Sequence, residues 1–335
     1  MPPAPLLEVG QARLNWRRWA LGLLLLAAIV AVALHFAQIE QFGLMLRQAQ
    51  PIWLLAALGL QVSTYIFVAA GWRAVLRAGG SAVSFGDLSL LALGKLFADQ
   101  ALPAAGMSGN VLTVDRLISR GAPRGLAAAA LIVSTIAFYL GLALFGLAAL
   151  LILWLHHEAT RLLIVTVAVF MVVAIAIPAA WIWLSRRGAR PLPTFLARIG
   201  IARTLFETLG EAPPELVRDR KLIAKATLFN GLVVIADAAT LSTCLLALGQ
   251  PAAAGAAFVA VAIAQMVSLV VLVPLGLGAF EGSCVAMLHL LGVGLEPAIA
   301  ATLLLRGFTL WLPMLPGLWV VRHLARSHAE TRRRA

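Results

Sequence analysis

The chain has 335 residues, of which 62% are hydrophobic and 12% are charged, and its mean hydropathy is +0.96. Soluble domains are about 45–50% apolar and about 25% charged, so this composition excludes a soluble globular domain. The net charge of +12 does not indicate nucleic-acid binding, because the basic residues flank apolar segments as the positive-inside rule requires.

Apolar runs of membrane-spanning length recur along the chain. A transmembrane helix needs about 20 apolar residues, and six runs satisfy this, at residues 18–38, 51–74, 125–154, 162–185, 222–249 and 296–321. The first run is long enough to span and lacks the small-residue cleavage site of a signal peptide. The sequence therefore predicts an all-α, polytopic membrane protein with six full transmembrane helices.

The basic residues set the orientation. With a cytoplasmic N-terminus, the outer loops hold only Arg47 and Arg161 of the 26 Lys and Arg residues. This asymmetry predicts that both termini of the multi-pass protein lie in the cytoplasm, and we expect the protein in the bacterial inner membrane. The cytoplasmic connector contains residues 195–209, which fit either an amphipathic helix lying on the membrane or a plain basic linker.

Two further apolar stretches, residues 84–121 and 253–294, are interrupted by Pro, Gly and polar residues. The interruptions read LPAAGMSGN at 102–110 and VPLGLGAFE at 273–281. Non-helical backbone at membrane depth is tolerated only where protein or a wet cavity covers it. We interpret each stretch as a re-entrant helical hairpin; a pair of short, tilted spans is the alternative.

The two interrupted stretches are related by an offset of 171 residues. This offset aligns Pro103 with Pro274 and Gly121 with Gly292, among seven identities in 28 positions. The first hairpin follows a span that ends inside and the second a span that ends outside, so the sequence predicts an inverted repeat. Paired interruptions of this kind point to a transporter's substrate site; two unrelated kinks in a helical bundle are the alternative.

The inverted repeat divides the chain into four parts. Residues 1–50 form an N-terminal transmembrane helix and an outer loop, and residues 51–161 form the first repeat. A linking helix and the basic cytoplasmic connector occupy residues 162–221. The second repeat and a basic tail follow at 222–335.

Ionisable residues at membrane depth define the candidate site, because such groups are costly there and default to functional roles. Arg306 lies near the middle of the last span, where it can hold a lipid phosphate or form a structural ion pair with Glu281 or Asp237. Glu281 follows the second interruption. It can neutralise Arg306, bind a cationic headgroup, carry a proton, or cap the half-helix that begins there.

Backbone and uncharged polar groups complete the predicted site. Half-helix N-termini present N–H groups to an anionic headgroup, which favours the residues beside each interruption. Lys95 and Asp99 lie one turn apart and also fit a simple ion pair, while Asp115 and Arg116 fit a solvated pair at the inner surface. The predicted substrate-binding set is Arg306, Glu281, Asp237, Gly276, Gly278, Asn110, Ser108, Gly109, Gln265, Lys95 and Asp99.

The chain shows no motif of a known cofactor or catalytic site. It contains no P-loop, no H-E-x-x-H and no G-x-S-x-G, and Cys244 and Cys284 have no metal-ligand spacing. We therefore expect no metal, no cofactor and no enzyme activity. An intramembrane lipid-modifying enzyme using Glu281 and Asp237 remains the alternative from the residues alone.

The chain resembles the lysylphosphatidylglycerol synthase transmembrane-region family of flippase-like membrane proteins. The most specific stretch is 273–281 followed by Leu-Leu-Leu-Arg-Gly at 303–307 and Trp311; residues 102–110 with Arg116 also fit. In many relatives a Glu follows the first interruption, where this chain has Asn110.

The resemblance implies translocation of lipids between leaflets, including aminoacylated phosphatidylglycerol, without the aminoacyltransferase domain of larger members. We therefore expect a lipid flippase or transporter for an anionic or modified phospholipid, or a polyprenyl-phosphate lipid. Membrane lipids are the expected partners, and Gly-rich spans are compatible with a homodimer. A scaffold or regulator that binds a lipid-biosynthesis enzyme is the alternative function.

Overall fold

A computed structural model describes residues 49–101, 107–158, 160–187, 210–251, 253–271, 276–314 and 316–317. Every regular element in these ranges is a helix, which confirms the all-α prediction. Four predicted features lie outside the described residues, namely the first span at 18–38, the connector segment 195–209, and both interruption centres at 102–106 and 272–275.

Five helices make up the first half of the described chain. Pro at the first turn starts the first of them, because its missing N–H would be unpaired there anyway. In chain order they are α1 (Pro51–Ala78), α2 (Phe85–Ala101), α3 (Met107–Ser119), α4 (Arg124–Leu155) and α5 (Arg161–Arg187).

The second half begins with a short helix and then repeats the pattern of long and short helices. Asp219 starts the long helix of this half by accepting hydrogen bonds from the backbone N–H groups of Lys221 and Leu222. The helices are α6 (Pro214–Arg218), α7 (Arg220–Ala247), α8 (Ala254–Val271), α9 (Ala279–Leu290) and α10 (Leu295–Arg306), which continues as a π-helical segment at Gly307–Trp311.

Within the described residues, six helices are long and apolar enough to cross a membrane. Five of them are α1, α4, α5, α7 and α10 with its extension, which confirms five of the predicted spans. The sixth is α8, which lies in a stretch predicted as a hairpin. Its 18 residues extend about 27 Å at 1.5 Å per residue, close to the hydrocarbon thickness of about 30 Å.

Helix α7 lies at the centre of the bundle, packed against α1, α4 and α8. The beginning of α4 is buried continuously from residue 126 to residue 133, and its four consecutive alanines let neighbouring helices approach closely. Large apolar side chains on α4 and α5 are exposed, among them Trp154, Leu162, Val172 and Ile175. In a membrane protein such a surface faces lipid.

Helices α3 and α9 end in the same way. Gly121 and Gly292, which are 171 residues apart, adopt φ of +88° and +91°, a left-handed conformation that glycine adopts without steric cost. The backbone N–H of the next residue donates to the carbonyl five residues earlier at 3.0 Å in both cases, Ala122 to Leu117 and Val293 to Leu288.

Helices α1 and α7 also match, at a smaller offset. Each has 28 residues, and their starts at Pro51 and Arg220 are 169 residues apart, as are the starts of α2 and α8. Their terminal hydrogen bonds agree, since Ser81 N–H donates to Leu76 and Gln250 N–H to Leu245. The offset between corresponding residues of the two halves is therefore 169 in the helices before the interruption and 171 at the glycine caps after it. The sequence identities indicated a single offset of 171.

Candidate functional site

Glu281 and Arg306 form an ion pair at the second interruption. Arg306 Nε donates to Glu281 Oε1 at 2.6 Å, and the two side chains are 12% and 22% exposed. The other carboxylate oxygen, Oε2, accepts the backbone N–H of Gly278 at 2.7 Å and so caps α9. The sequence left the ion pair and the cap as alternatives, and the structure contains both.

The Arg306 guanidinium lies beside the Phe280 ring and the backbone of Gly276. Its Cζ lies 4.7 Å from the centre of the Phe280 ring, within the range of a cation–π contact. Gly276 has φ of +63°, and a Cβ there would lie 3.0 Å from Ser268 Oγ and 3.9 Å from Arg306 Nη2. A larger residue at 276 would therefore be strained and would press on Ser268, and its Cβ would touch the guanidinium at ordinary van der Waals distance.

The first interruption carries a comparable arrangement. Lys95 Nζ donates to Asp99 Oδ2 at 2.5 Å along α2. Asp99 Oδ1 accepts the backbone N–H of Gly109, in the first turn of α3, at 2.8 Å. Asp99 therefore both pairs with a cation and satisfies a helix N-terminus across the interruption.

The carboxylate changes helix between the two halves. At the offset of 169, Asp99 on α2 corresponds to Ser268 on α8; at the offset of 171, Asn110 on α3 corresponds to Glu281 on α9. The first half thus holds its carboxylate before the interruption and the second half after it. Both halves therefore have a charged arrangement beside the interruption.

Asp237 occupies a separate polar cluster on α7. Its Oδ1 accepts Gln61 Nε2 of α1 at 2.9 Å, and its Oδ2 accepts Gln265 Nε2 of α8 at 3.1 Å. Gln61 Nε2 also lies 3.1 Å from Thr240 Oγ1. Among the described residues Asp237 pairs with these amides and not with Arg306, so of the two acidic partners considered for Arg306 the structure selects Glu281.

The sequence predicted a solvated pair of Asp115 and Arg116, and the structure confirms the pair but not the exposure of Arg116. The Arg116 side chain is 11% exposed, while that of Asp115 is 54% exposed and 3.9 Å away. The next arginine, Arg120, forms an ion pair with Asp87 at the start of α2 instead. Packing of α3 on α2 buries Arg116, which a sequence window on α3 alone does not reveal.

The structure brings most of the predicted residues together in three groups rather than one. The groups are Glu281 with Arg306 and Gly278, Asp99 with Lys95 and Gly109, and Asp237 with Gln265. The contacting residues that the sequence did not assign to the site are Phe280, Ser268, Gln61 and Thr240. Phe280 was adjacent to a predicted residue, and Ser268 is found only by aligning α2 with α8. The side chain of Ser108 lies outside the described residues, whereas Gly109 and Gly278 contribute backbone N–H groups that carboxylates already occupy.

The fold and these groups define a polytopic α-helical membrane protein that holds paired carboxylates and cations at two helix interruptions. The chain matches the family model described as the lysylphosphatidylglycerol synthase transmembrane region over residues 19–317, and it belongs to this family. Membership identifies an integral, multi-pass protein of a lipid-related membrane family. No curated protein matches the chain.

Proposed function

We propose that this protein is a flippase that moves a lipid with an anionic headgroup between membrane leaflets, and that it is not an enzyme. The observation that carries the proposal is the repeated arrangement at the interruptions. In each, one carboxylate binds both a basic side chain and a helix N-terminal N–H, through Asp99 in the first half and Glu281 in the second.

A phosphate can take the place of either carboxylate. Its oxygens accept the same donors, Arg306 Nε and the Gly278 N–H, with charge-assisted hydrogen bonds of the same kind. When a phosphate replaces the Glu281 carboxylate, one anion still faces Arg306. The guanidinium therefore remains paired whether lipid is bound or absent. The displaced Glu281 then faces the headgroup and can bind a cationic substituent on it.

Two short-helix hairpins in an inverted repeat would place these arrangements at similar depth. Helices α3 and α9, which follow the two interruptions, have 13 and 12 residues, about 20 and 18 Å at 1.5 Å per residue, well short of the hydrocarbon thickness of about 30 Å. The matched caps at Gly121 and Gly292 and the equal lengths of α1 and α7 support a repeat. Rocking of one repeat against the other would then expose the headgroup to each leaflet in turn.

We place the protein in the bacterial inner membrane, and the distribution of charge supports an orientation with both termini in the cytoplasm. In this orientation Asp87, Arg120 and the basic N-terminus of α7 face the inner leaflet. A second subunit or a lipid-biosynthesis enzyme would bind outside the interruptions, and neither is required for the exchange of carboxylate and phosphate.

Reconstituted vesicles test the proposal. Purified protein is placed in liposomes with fluorescent phosphatidylglycerol, and an impermeant reductant reports the label that reaches the outer leaflet. We expect the wild type to speed exchange, Arg306→Ala and Glu281→Ala to slow it, and Arg120→Ala to match the wild type. Arg120 is the matched control, because it also pairs with an acidic residue but outside both interruptions.

Wild-type exchange no faster than in empty liposomes, with and without a proton gradient or a membrane potential, would overturn the flippase. A scaffold would give that result. A change in lipid mass after incubation, measured by mass spectrometry, would instead identify an enzyme.

A further inference from the structure

We propose that Asp237 binds a proton at membrane depth and that Gln265 transmits its protonation state to the second interruption. Asp237 lies ten residues before the end of α7, about 15 Å along the helix axis. A carboxylate at that depth without a counter-ion is costly, and a bound proton removes the charge. The coupling of this proton to lipid movement rests on the flippase function proposed above.

The helices packed on α7 bring few ionisable groups near Asp237. Tyr65 on α1 lies within electrostatic range, and α8 carries no ionisable residue. The remaining groups on α7 and its neighbours are Arg73 and Arg77 of α1, Arg124 and Tyr139 of α4, Glu215 and Arg218 of α6, Glu296 and Arg306 of α10, and Arg220, Lys221, Lys225 and Cys244 of α7 itself. Within the described ranges, none of their basic side chains forms an ion pair with Asp237.

The side-chain amides of Gln61 and Gln265, which both donate to Asp237, differ in their freedom to rotate when Asp237 binds a proton. Gln61 Nε2 contacts both Asp237 and Thr240, and the Thr240 hydroxyl donates in turn to the Ala236 carbonyl at 2.8 Å. This orientation of the Gln61 amide is therefore held from two sides. In the part of the chain that the structure describes, Gln265 hydrogen-bonds through its side chain only to Asp237, so its amide can rotate.

Protonation reverses the hydrogen bond between Asp237 and Gln265. The ionised carboxylate only accepts hydrogen bonds, while the carboxylic acid has one O–H to donate. A proton from water adds to Asp237 Oδ2, and the N–H···O bond from Gln265 breaks. The Gln265 amide turns so that its Oε1 accepts the new O–H, and no other atom is exchanged.

Helix α8 connects this event to the ion pair of the candidate site. Ser268 follows Gln265 by about one turn, and its hydroxyl donates to the Ala264 carbonyl. The same hydroxyl would lie 3.0 Å from a Cβ at Gly276, beside Arg306. The hydrogen bond between Asp237 and Gln265 links α7 to α8. A change in this bond therefore acts on α8, whose Ser268 lies beside the Gly276 backbone next to Arg306.

Infrared spectroscopy of the full chain in lipid nanodiscs measures proton binding without transport. We expect a protonated-carboxyl C=O band at the frequency of a carboxyl shielded from water, which is present at acidic pH, disappears at alkaline pH and is lost in Asp237→Asn. Gln265→Leu removes the acceptor and should shift the band, and it keeps the test decisive if Asp237→Asn does not fold. Asp115→Asn, which removes an exposed carboxylate, should leave the band unchanged. A band that is identical in wild type and Asp237→Asn, or unshifted in Gln265→Leu, would overturn the proposal.

Lipid exchange under a proton gradient tests the coupling. We expect the gradient to accelerate exchange by the wild type and to have no effect on Asp237→Asn. Wild-type exchange that is insensitive to the gradient would overturn the coupling and leave the flippase standing. An Asp237 infrared band together with no exchange by the wild type would overturn the flippase and leave the proton site standing.

Discussion

Gly109 and Asp99 are in contact across the first interruption, and the carboxylate occupies the volume that a Cβ at position 109 would need. The Gly109 N–H donates to Asp99 Oδ1 at 2.8 Å. The absence of a side chain at 109 is therefore what lets Asp99 satisfy the N-terminus of α3. This contact joins two helices whose connection at residues 102–106 the structure does not describe.

Gly109→Ala should destabilise the protein. The new methyl group displaces the Asp99 carboxylate and leaves a buried N–H without its acceptor, at a cost of about 1–3 kcal/mol. Thermal unfolding in detergent, followed by circular dichroism, measures the change. Gly282→Ala is the matched control, because Gly282 lies near the start of α9 with no atom within 4 Å of its Cβ position. A melting temperature for Gly109→Ala equal to that of Gly282→Ala would contradict the role of Gly109.

The ion pair between Glu281 and Arg306 should show strong thermodynamic coupling. Removing one partner of a fully buried pair costs about 3–5 kcal/mol, because the remaining charge stays buried. The Glu281 and Arg306 side chains are 22% and 12% exposed, so we expect a cost below this range. Glu281→Ala and Arg306→Ala should each destabilise the protein, and the double variant should lose less than the sum of the two. A double-mutant cycle on the free energy of unfolding in a detergent titration measures this difference.

The exposed pair of Asp87 and Arg120 provides the comparison for that cycle. Their side chains are 29% and 43% exposed, and exposed pairs contribute about 0–1 kcal/mol. We expect a coupling energy near zero for Asp87→Ala with Arg120→Ala. Equal coupling energies in the two cycles would show that burial at the second interruption does not strengthen the Glu281 pair.

Several features of this fold follow from the sequence because they depend on local composition. Apolar run length located α1, α4, α5, α7 and α10, and the spacing of Lys95 and Asp99 indicated their pairing. The order of an interruption, an acidic residue and a later arginine also brought Glu281 and Arg306 under consideration together. Each of these signals lies within one helix or within two neighbouring helices.

Other features depend on contacts that a sequence window does not contain. The contact of Asp99 with Gly109 crosses the first interruption, and that of Asp237 with Gln61 joins residues 176 positions apart. The two-residue change in offset also hid the correspondence between Asp99 and Ser268, because a single offset of 171 pairs Asp99 with Val270. The offset of 169 becomes visible only from the helix starts in the structure.

Gln61→Leu should destabilise the interface between α1 and α7. The Gln61 side chain is 4% exposed and donates to both Asp237 and Thr240, so leucine leaves a carboxylate oxygen without a donor, at a cost of about 1–3 kcal/mol. Thr64→Val is the control on the same helix. Its hydroxyl donates to the carbonyl of Gln61 three residues earlier, so the hydrogen bond that is lost lies within α1. A smaller unfolding effect for Gln61→Leu than for Thr64→Val would contradict the importance of the cluster.

Cysteine labelling should place the two ends of α4 on opposite sides of the membrane. Cys244 and Cys284 are the only cysteines of the chain, and both are fully buried, so they should remain unlabelled by a maleimide until the protein unfolds. Ser119→Cys and His156→Cys introduce exposed thiols before and after α4. In sealed right-side-out vesicles an impermeant maleimide should label His156→Cys alone, because the basic residues around position 119 retain that end in the cytoplasm. Labelling of Ser119→Cys from outside would reverse the orientation, and labelling of both from outside would show that α4 does not cross the membrane.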